Sequence, residues 1–355
     1  MRAVLTSLIL LGTLLLVPGC SSESAVDISD AAGAGAKAGD AGTGTDAGPG
    51  STNSDQTEGQ RVIGYSAMSL ANPFFSVIAD NLRSEAVKHG FDVVVDDADG
   101  DFKTQSEQIE SYVARGFTAI VINPVDRLSV GPAIKKANDA GIPVFTCDLQ
   151  SVAPEGKVTA HVGTDNFQGG RLAGDAMIEV LGESGGKVLV LHYEQAHSCV
   201  LRVDGFMEVI NAHNEGRESG KIDVVSTLDG GGSLDIGRDA TAAAIQTDSD
   251  LSAIFAINDP SALGAHRALE QAGKAGDVTI IAFDGQIDGK RAIRDGKIYA
   301  DPIQFPDQMG QLTVQRIVAY LNGEEFEQIT LIPTVLYRKA DADKDPELSE
   351  PAANE

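Results

Sequence analysis

The residues best suited to chemistry gather where apolar runs end. Asn72-Pro73-Phe74-Phe75 follows the run Val62-Ile63-Gly64-Tyr65 and opens a pattern with apolar residues at Phe74, Ile78, Leu82 and Ala86. That four-residue spacing puts the side chains on one helix face. Pro73 suits a first helical position, where its missing N–H would be unpaired anyway. The stretch is therefore a strand-to-helix connection, which in an open parallel sheet lies at the carboxyl end of a strand, where ligands bind. Two adjacent aromatics and an amide at such a corner are a first sign of a binding role.

A second cluster, His192, Glu194, His197 and Cys199, follows another apolar run. Imidazole, carboxylate and thiolate are all zinc ligands, but no familiar zinc spacing is present. A polar loop whose residues bond each other or a ligand is the expectation, with no metal and no cofactor. His89, His161, His213 and His266 stand alone and are expected to be structural or exposed. The segments Asp97–Asp101 and Asp341–Asp345 are similar to calcium loops. The first has its glycine too early, the second has Pro346 where glycine is needed, and neither has a glutamate at the last position. Both are expected to be solvated turns. The signatures GxxxxGKS/T, HExxH and GxSxG are absent, and the chain is not expected to be an enzyme.

The elements that position these residues alternate between short apolar strands and amphipathic helices, the pattern of parallel sheets wrapped by helices. Strands are expected at 62–65, 93–95, 119–122 and 144–146, with helices over 74–89, 103–115 and 132–140. Gly90, Gly116 and Gly141 end those helices, as helix C-termini favour. The alternation then restarts, with strands at 188–191, 224–226, 254–257 and 279–282, and helices over 170–181, 201–213, 236–247, 262–272 and 289–295. A helix over 307–321 and a run over 329–337 close the body. Two α/β lobes in one chain suggest a cleft between them, a common place for ligands.

Composition agrees with this. The chain has 355 residues, 42% of them hydrophobic, enough for two domains with real cores. Its net charge is −25 and its pI about 4.5, which argues against a nucleic-acid partner. Residues 21–60 and 341–355 together supply −11 of that charge, so the body is only moderately acidic.

Arg2 precedes an apolar run from Ala3 to Val17 that is too short to span a bilayer comfortably. The run ends Val17-Pro18-Gly19-Cys20, which resembles a bacterial lipoprotein signal with Cys20 as the lipidated first residue of the mature chain. Residues 1–19 are then a signal peptide. Residues 20–60, rich in Gly, Ala and Ser and poor in large apolar side chains, are a disordered acidic tether. The remaining cysteines, Cys147 and Cys199, fall in different lobes, and two free, partly buried thiols are expected rather than a disulfide.

The corner at Asn72 is joined by Asn123-Pro124, Cys147-Asp148 and Thr164-Asp165-Asn166. Arg202-Val203-Asp204-Gly205-Phe206, Asn258-Asp259, Phe283-Asp284-Gly285 and Gln304-Phe305-Pro306-Asp307-Gln308 follow. In this order and spacing the set resembles the ribose-type pentose- and hexose-binding proteins of bacterial ABC importers, over essentially all of residues 61–340. The resemblance implies a type I periplasmic-binding fold: two doubly wound parallel-sheet lobes joined by three crossings near Thr164, Gln304 and Ile332. The lobes would be 61–164 plus 305–332 and 165–304 plus 333–340, followed by a disordered acidic tail over 341–355.

Carried over position by position, the resemblance implies a pocket of Asn72, Phe74, Phe75, Asp148, Asn258, Asp284 and Gln304. That set suits a polyhydroxylated ligand. Carboxylates accept hydroxyl protons, amides donate and accept, and an aromatic face packs on a sugar ring. Departures from the ribose pattern fall at Met68, Leu149, Val200 and Gly232, where a serine, two arginines and a phenylalanine are expected. Arg202 matches a different, structural arginine of the family. Tyr193, Glu194, Gln195 or His197 could supply replacement contacts, with Tyr193 a further specificity position. Ribose itself is disfavoured.

The resemblance implies a solute-binding component of an ABC import system. It would be exported, periplasmic or at the cell surface, held at a bacterial membrane only by its lipid, monomeric, and partnered by a permease. A lipoprotein presenting its closed form to a chemoreceptor or sensor kinase is the alternative. A transcription regulator of the same fold would need a basic helix-turn-helix at the N-terminus, where this chain has an apolar leader and an acidic segment.

Overall fold

The computed structural model describes residues 61–349. The expected signal peptide, Cys20 and the tether lie outside the described residues, as do residues 350–355. The first sheet begins with β1 (Val62–Ala67), α1 (Pro73–Lys88), β2 (Asp92–Asp97), α2 (Phe102–Ala114), β3 (Ala119–Ile122), α3 (Gly131–Asp139), β4 (Val144–Cys147) and β5 (Val158–Thr164). The chain then builds α4 (Asn166–Leu181), β6 (Gly186–His192), α5 (His197–Asn214), β7 (Ile222–Asp229) and α6 (Leu234–Thr247). It continues through β8 (Ala253–Ala256), α7 (Asp259–Gln271), β9 (Thr279–Ile281), α8 (Ile287–Arg294) and β10 (Ala300–Ile303). Last come α9 (Pro306–Asn322), β11 (Ile329–Ile332), β12 (Val335–Arg338), the short α10 (Lys339–Ala342) and a 3-10 turn at Pro346–Leu348.

The strand orders are β2-β1-β3-β4-β5-β11 and β7-β6-β8-β9-β10-β12. Each sheet reverses its winding beside its first strand, the doubly wound arrangement that opens a crevice at the strand carboxyl ends. The sheets are parallel except that β12 runs antiparallel to β10. The chain crosses from the first sheet after Thr164, returns after Ile303, and crosses again between β11 and β12.

Local sequence explains most of these elements. Strands β3, β4 and β8 are buried along their length, and β3 and β8 read as unbroken apolar runs, whereas the edge strand β7 alternates half-buried and exposed residues after Ile222. Four of the helix starts are capped by side chains of the preceding residue. Asn72, Asp101, Asp165 and Asn258 each accept a hydrogen bond from a backbone N–H of the first helical turn.

Three differences from the sequence reading have physical causes. Strand β5 is not an apolar run: its buried face carries Thr159 and His161, and His161 pairs with Thr146 at 3.0 Å. Burial pushes that imidazole down to about 4, so it is held neutral inside the sheet. Strand β10, Ala-Asp-Pro-Ile, was hidden by a buried Asp301 and by Pro302, a residue usually kept out of sheet interiors. The run over 329–337 is two strands in different sheets, separated at Pro333-Thr334.

The acidic tail is also different from the expectation. Residues 341–349 are folded against the second lobe, with Leu348 buried in its core and the Arg294 guanidinium donating to the Leu348 carbonyl at 3.1 Å. The Tyr337 hydroxyl donates to Asp345 at 2.7 Å, and Lys290 pairs with Asp345 and Glu347 at 3.2 and 2.6 Å. One apolar residue and a cation placed on α8 order a stretch that composition alone marks as solvated.

Candidate ligand-binding site

The carboxyl ends of both sheets face one cavity of about 60 Å³. At roughly 10–15 Å³ per enclosed water, it has the space of a few waters, which suits a compact ligand and not an oligomer. All seven expected pocket residues line it: Asn72, Phe74, Phe75, Asp148, Asn258, Asp284 and Gln304. Met68, Leu149, Tyr193 and Gly232 line it as well.

From the first lobe, Asn72 ends the β1–α1 corner. Its Oδ1 accepts from the Phe74 N–H at 3.1 Å, which fixes the side chain and leaves its amide NH₂ without a partner among the described residues. Phe74 and Phe75 stand edge to face, 5.7 Å between ring centroids at 87°. Asp148 follows β4 in a left-handed conformation, φ 58°, with its N–H donating to Val162 at 2.8 Å and the next N–H, of Leu149, to Cys147 at 2.7 Å. Asn123 also donates to the Cys147 carbonyl and so braces this turn. The Asp148 carboxylate is buried, and its Oδ1 has no hydrogen-bond partner. Burial pushes its pKa up to about 7, opposed by Arg202 and reinforced by Asp284.

From the second lobe, Asp284 follows β9, also at positive φ (122°). Its Oδ1 accepts from Arg202 Nη1 at 2.9 Å and Gln304 Nε2 at 2.6 Å, and its Oδ2 from Gln286 Nε2 at 3.2 Å. Gln304 in turn accepts from the Thr164 hydroxyl at 2.6 Å, which ties two hinge crossings together. Arg202 donates further to Asn166 at 2.8 Å and to the Ile257 carbonyl at 2.6 Å, and its guanidinium lies 3.8 Å from the Phe283 ring centroid. Asn258 caps α7 through Ser261 at 3.0 Å and donates to the Gly232 carbonyl at 2.9 Å.

The sequence reading needs correction at several positions. Val200 does not line the cavity. Helix α5 starts at His197, before Val200, and Ala196, Cys199 and Arg202 turn inward at three-residue spacing while Val200 is rotated a further step away. Arg202, read as structural only, is both: it holds Asp284 and lines the cavity. Glu194, Gln195 and His197 are not in the lining; the Gln195 carbonyl instead accepts from the Arg127 N–H of the first lobe at 3.0 Å, joining the lobes at the mouth of the cleft. Ala196, Ser198 and Ile257 complete the lining without a signal in the sequence, together with Cys199 of the polar cluster. The one available signal was an arginine inside the otherwise apolar face of α5, since a buried guanidinium demands a carboxylate nearby. Gly232 has φ 59°, a conformation that a side chain resists, and an added Cβ there would face Asn258 at 3.5 Å and Tyr193 at 3.8 Å.

Cys147 and Cys199 are both free thiols; Cys147 is fully buried and Cys199 is buried with an edge on the cavity. Among the described residues, no group of three or more His, Cys, Asp or Glu converges as a metal site, and no helix is long and apolar enough to cross a membrane.

Comparison with known proteins places this geometry. A ribose import binding protein of Escherichia coli is 35% identical over 78% of this chain and 90% of its own length. A solved ABC transporter solute-binding protein from Mycobacterium smegmatis, with bound glycerol, is 30% identical and has a TM-score of 0.73, covering 81% of this chain and 96% of its own. One from Bacillus halodurans C-125, with bound myo-inositol, is 27% identical with a TM-score of 0.72, covering 81% and 97%. Residues 63–325 match the family described as periplasmic binding protein domain, and the chain belongs to that family.

Proposed function

We propose that this chain is the solute-binding component of an ABC import system. It captures a monosaccharide or related polyhydroxylated molecule between its lobes and delivers it to a permease. The observation that carries this reading is the meeting of Asn72, Phe75 and Asp148 from one lobe with Arg202, Asn258, Asp284 and Gln304 from the other around one cavity. A ligand hydroxyl donating to the unpartnered Asp148 carboxylate would form a charge-assisted bond available only in the closed cleft. Such bonds to both lobes shift an open–closed equilibrium toward closure. Nothing in this role requires a catalytic group or a cofactor.

The site residues are proposed as ligand contacts, with Met68, Leu149, Tyr193 and Gly232 setting specificity. Ribose is disfavoured because Leu149 and Met68 present apolar surface to the cavity. Export, anchoring by a lipid on Cys20 and a monomeric state belong to the same proposal. A thermal-shift screen over pentoses, hexoses, deoxy sugars and polyols tests it, since a ligand that binds the folded state raises the melting temperature. A rise with at least one of these, followed by calorimetric binding, is expected. No rise with any of them would overturn the reading.

A further inference from the structure

The polar groups of the cleft are mostly committed to one another. Asp284 accepts three hydrogen bonds, both ends of the Gln304 amide are engaged, and Asn258 is held by Ser261 and Gly232. The groups of the cleft without a partner among the described residues include the Asp148 carboxylate, the Asn72 amide NH₂, Arg202 Nη2 and the Tyr193 hydroxyl, while Ser198 donates only to the Cys199 sulfur at 3.9 Å. Beside Asp148 the lining is apolar, with Met68, Phe75, Leu149, Ala196 and Ile257.

This inventory limits how many hydroxyls a ligand can satisfy. A hydroxyl brought into the closed cleft against Leu149 or Met68 loses its water and gains no partner, which weakens binding. A methyl or methylene in the same place gains by burial. Leu149 directly follows Asp148, so a hydroxyl acceptor and an apolar surface stand side by side on one turn.

We propose that the ligand is a deoxy sugar, a monosaccharide with a methyl or methylene in place of one hydroxyl, and that Leu149 selects it. This rests on the monosaccharide reading above and narrows it. Calorimetric titration of the purified protein with matched pairs tests it: D-galactose with D-fucose, D-glucose with 6-deoxy-D-glucose, L-mannose with L-rhamnose, and D-ribose with its 2-deoxy and 5-deoxy forms. In the tightest-binding pair the deoxy member should bind about tenfold tighter or more, by the cost of one unpaired hydroxyl. Leu149→Gln should shrink that ratio, and Met68→Gln provides a second probe if the first variant is poorly folded. A hydroxylated member that binds as tightly as its deoxy partner in every binding pair overturns the deoxy assignment and leaves the monosaccharide reading standing. Binding by no member of any pair overturns both.

Discussion

Asp148 and Asp284 look equivalent in sequence, yet the structure predicts opposite consequences for their loss. Both follow a strand, both have positive φ (58° and 122°), and both are buried. Asparagine is the informative replacement because it keeps the shape and tolerates left-handed backbone. Asp284→Asn removes the charge that neutralises Arg202, a guanidinium only 3% exposed, and weakens the acceptor used by Gln304 and Gln286. Breaking a buried ion pair from one side costs about 3–5 kcal/mol, and the remaining amide oxygen puts this case near the lower end. The ligand-free protein should therefore lose about 3 kcal/mol, or roughly 6–12 °C in melting temperature. Asp148→Asn removes a carboxylate whose Oδ1 accepts nothing and which raises the pKa of its buried neighbours, so ligand-free stability should hold or rise. Its cost should fall on binding, about 1.5–3 kcal/mol for a hydrogen bond to a charged group. Equilibrium urea denaturation without ligand, paired with calorimetry, separates the two effects. Equal stability of the two asparagine variants, or a less stable Asp148→Asn, would refute the reasoning.

Other expectations follow from the same contacts. Asp148 titrates near 7 in the folded protein against an ordinary value of 3.8, so the folded state holds a proton that the unfolded chain releases. Its contribution to ligand-free stability should fall as pH rises from about 4 to 7 and level off above. Affinity should rise over the same range, by up to about tenfold per unit below pH 7, with proton release on binding. Calorimetry in buffers of different ionisation enthalpy measures this, and Asp148→Asn should flatten the profile. Deleting residues 341–355 should lower stability by about 2–4 kcal/mol in urea denaturation, through lost burial of Leu348 and lost bonds of Asp345; no change would mean the segment does not dock. Gly170→Ala should destabilise by about 1–3 kcal/mol and weaken binding, because its Cβ would lie 2.1 Å from the Arg202 carbonyl oxygen and force α4 from α5. Melting and titration of that variant check both effects.

Much of the chain was legible in its residues because the signals are local. Apolar periodicity marked β1, β3, β4, β6 and β8 and most of the helices, since strands covered on both faces must be apolar along their length. The corner Asn72-Pro73-Phe74-Phe75 could be placed without coordinates because proline at the first helical position and an amide cap are properties of a few adjacent residues. Tertiary structure decided what depends on partners distant in sequence. His161 and Asp301 sit inside strands where Thr146 meets the imidazole Nδ1 and the Gly285 N–H meets one carboxylate oxygen, and no local rule announces such partners. Arg202 became part of the cleft because Asp284, far along the chain, reaches it, while one helical step removed Val200. The sequence thus determined the class of the binding corner. Which polar groups remain free for a ligand, and which are spent on one another, is a sum over both lobes that only the folded chain could decide.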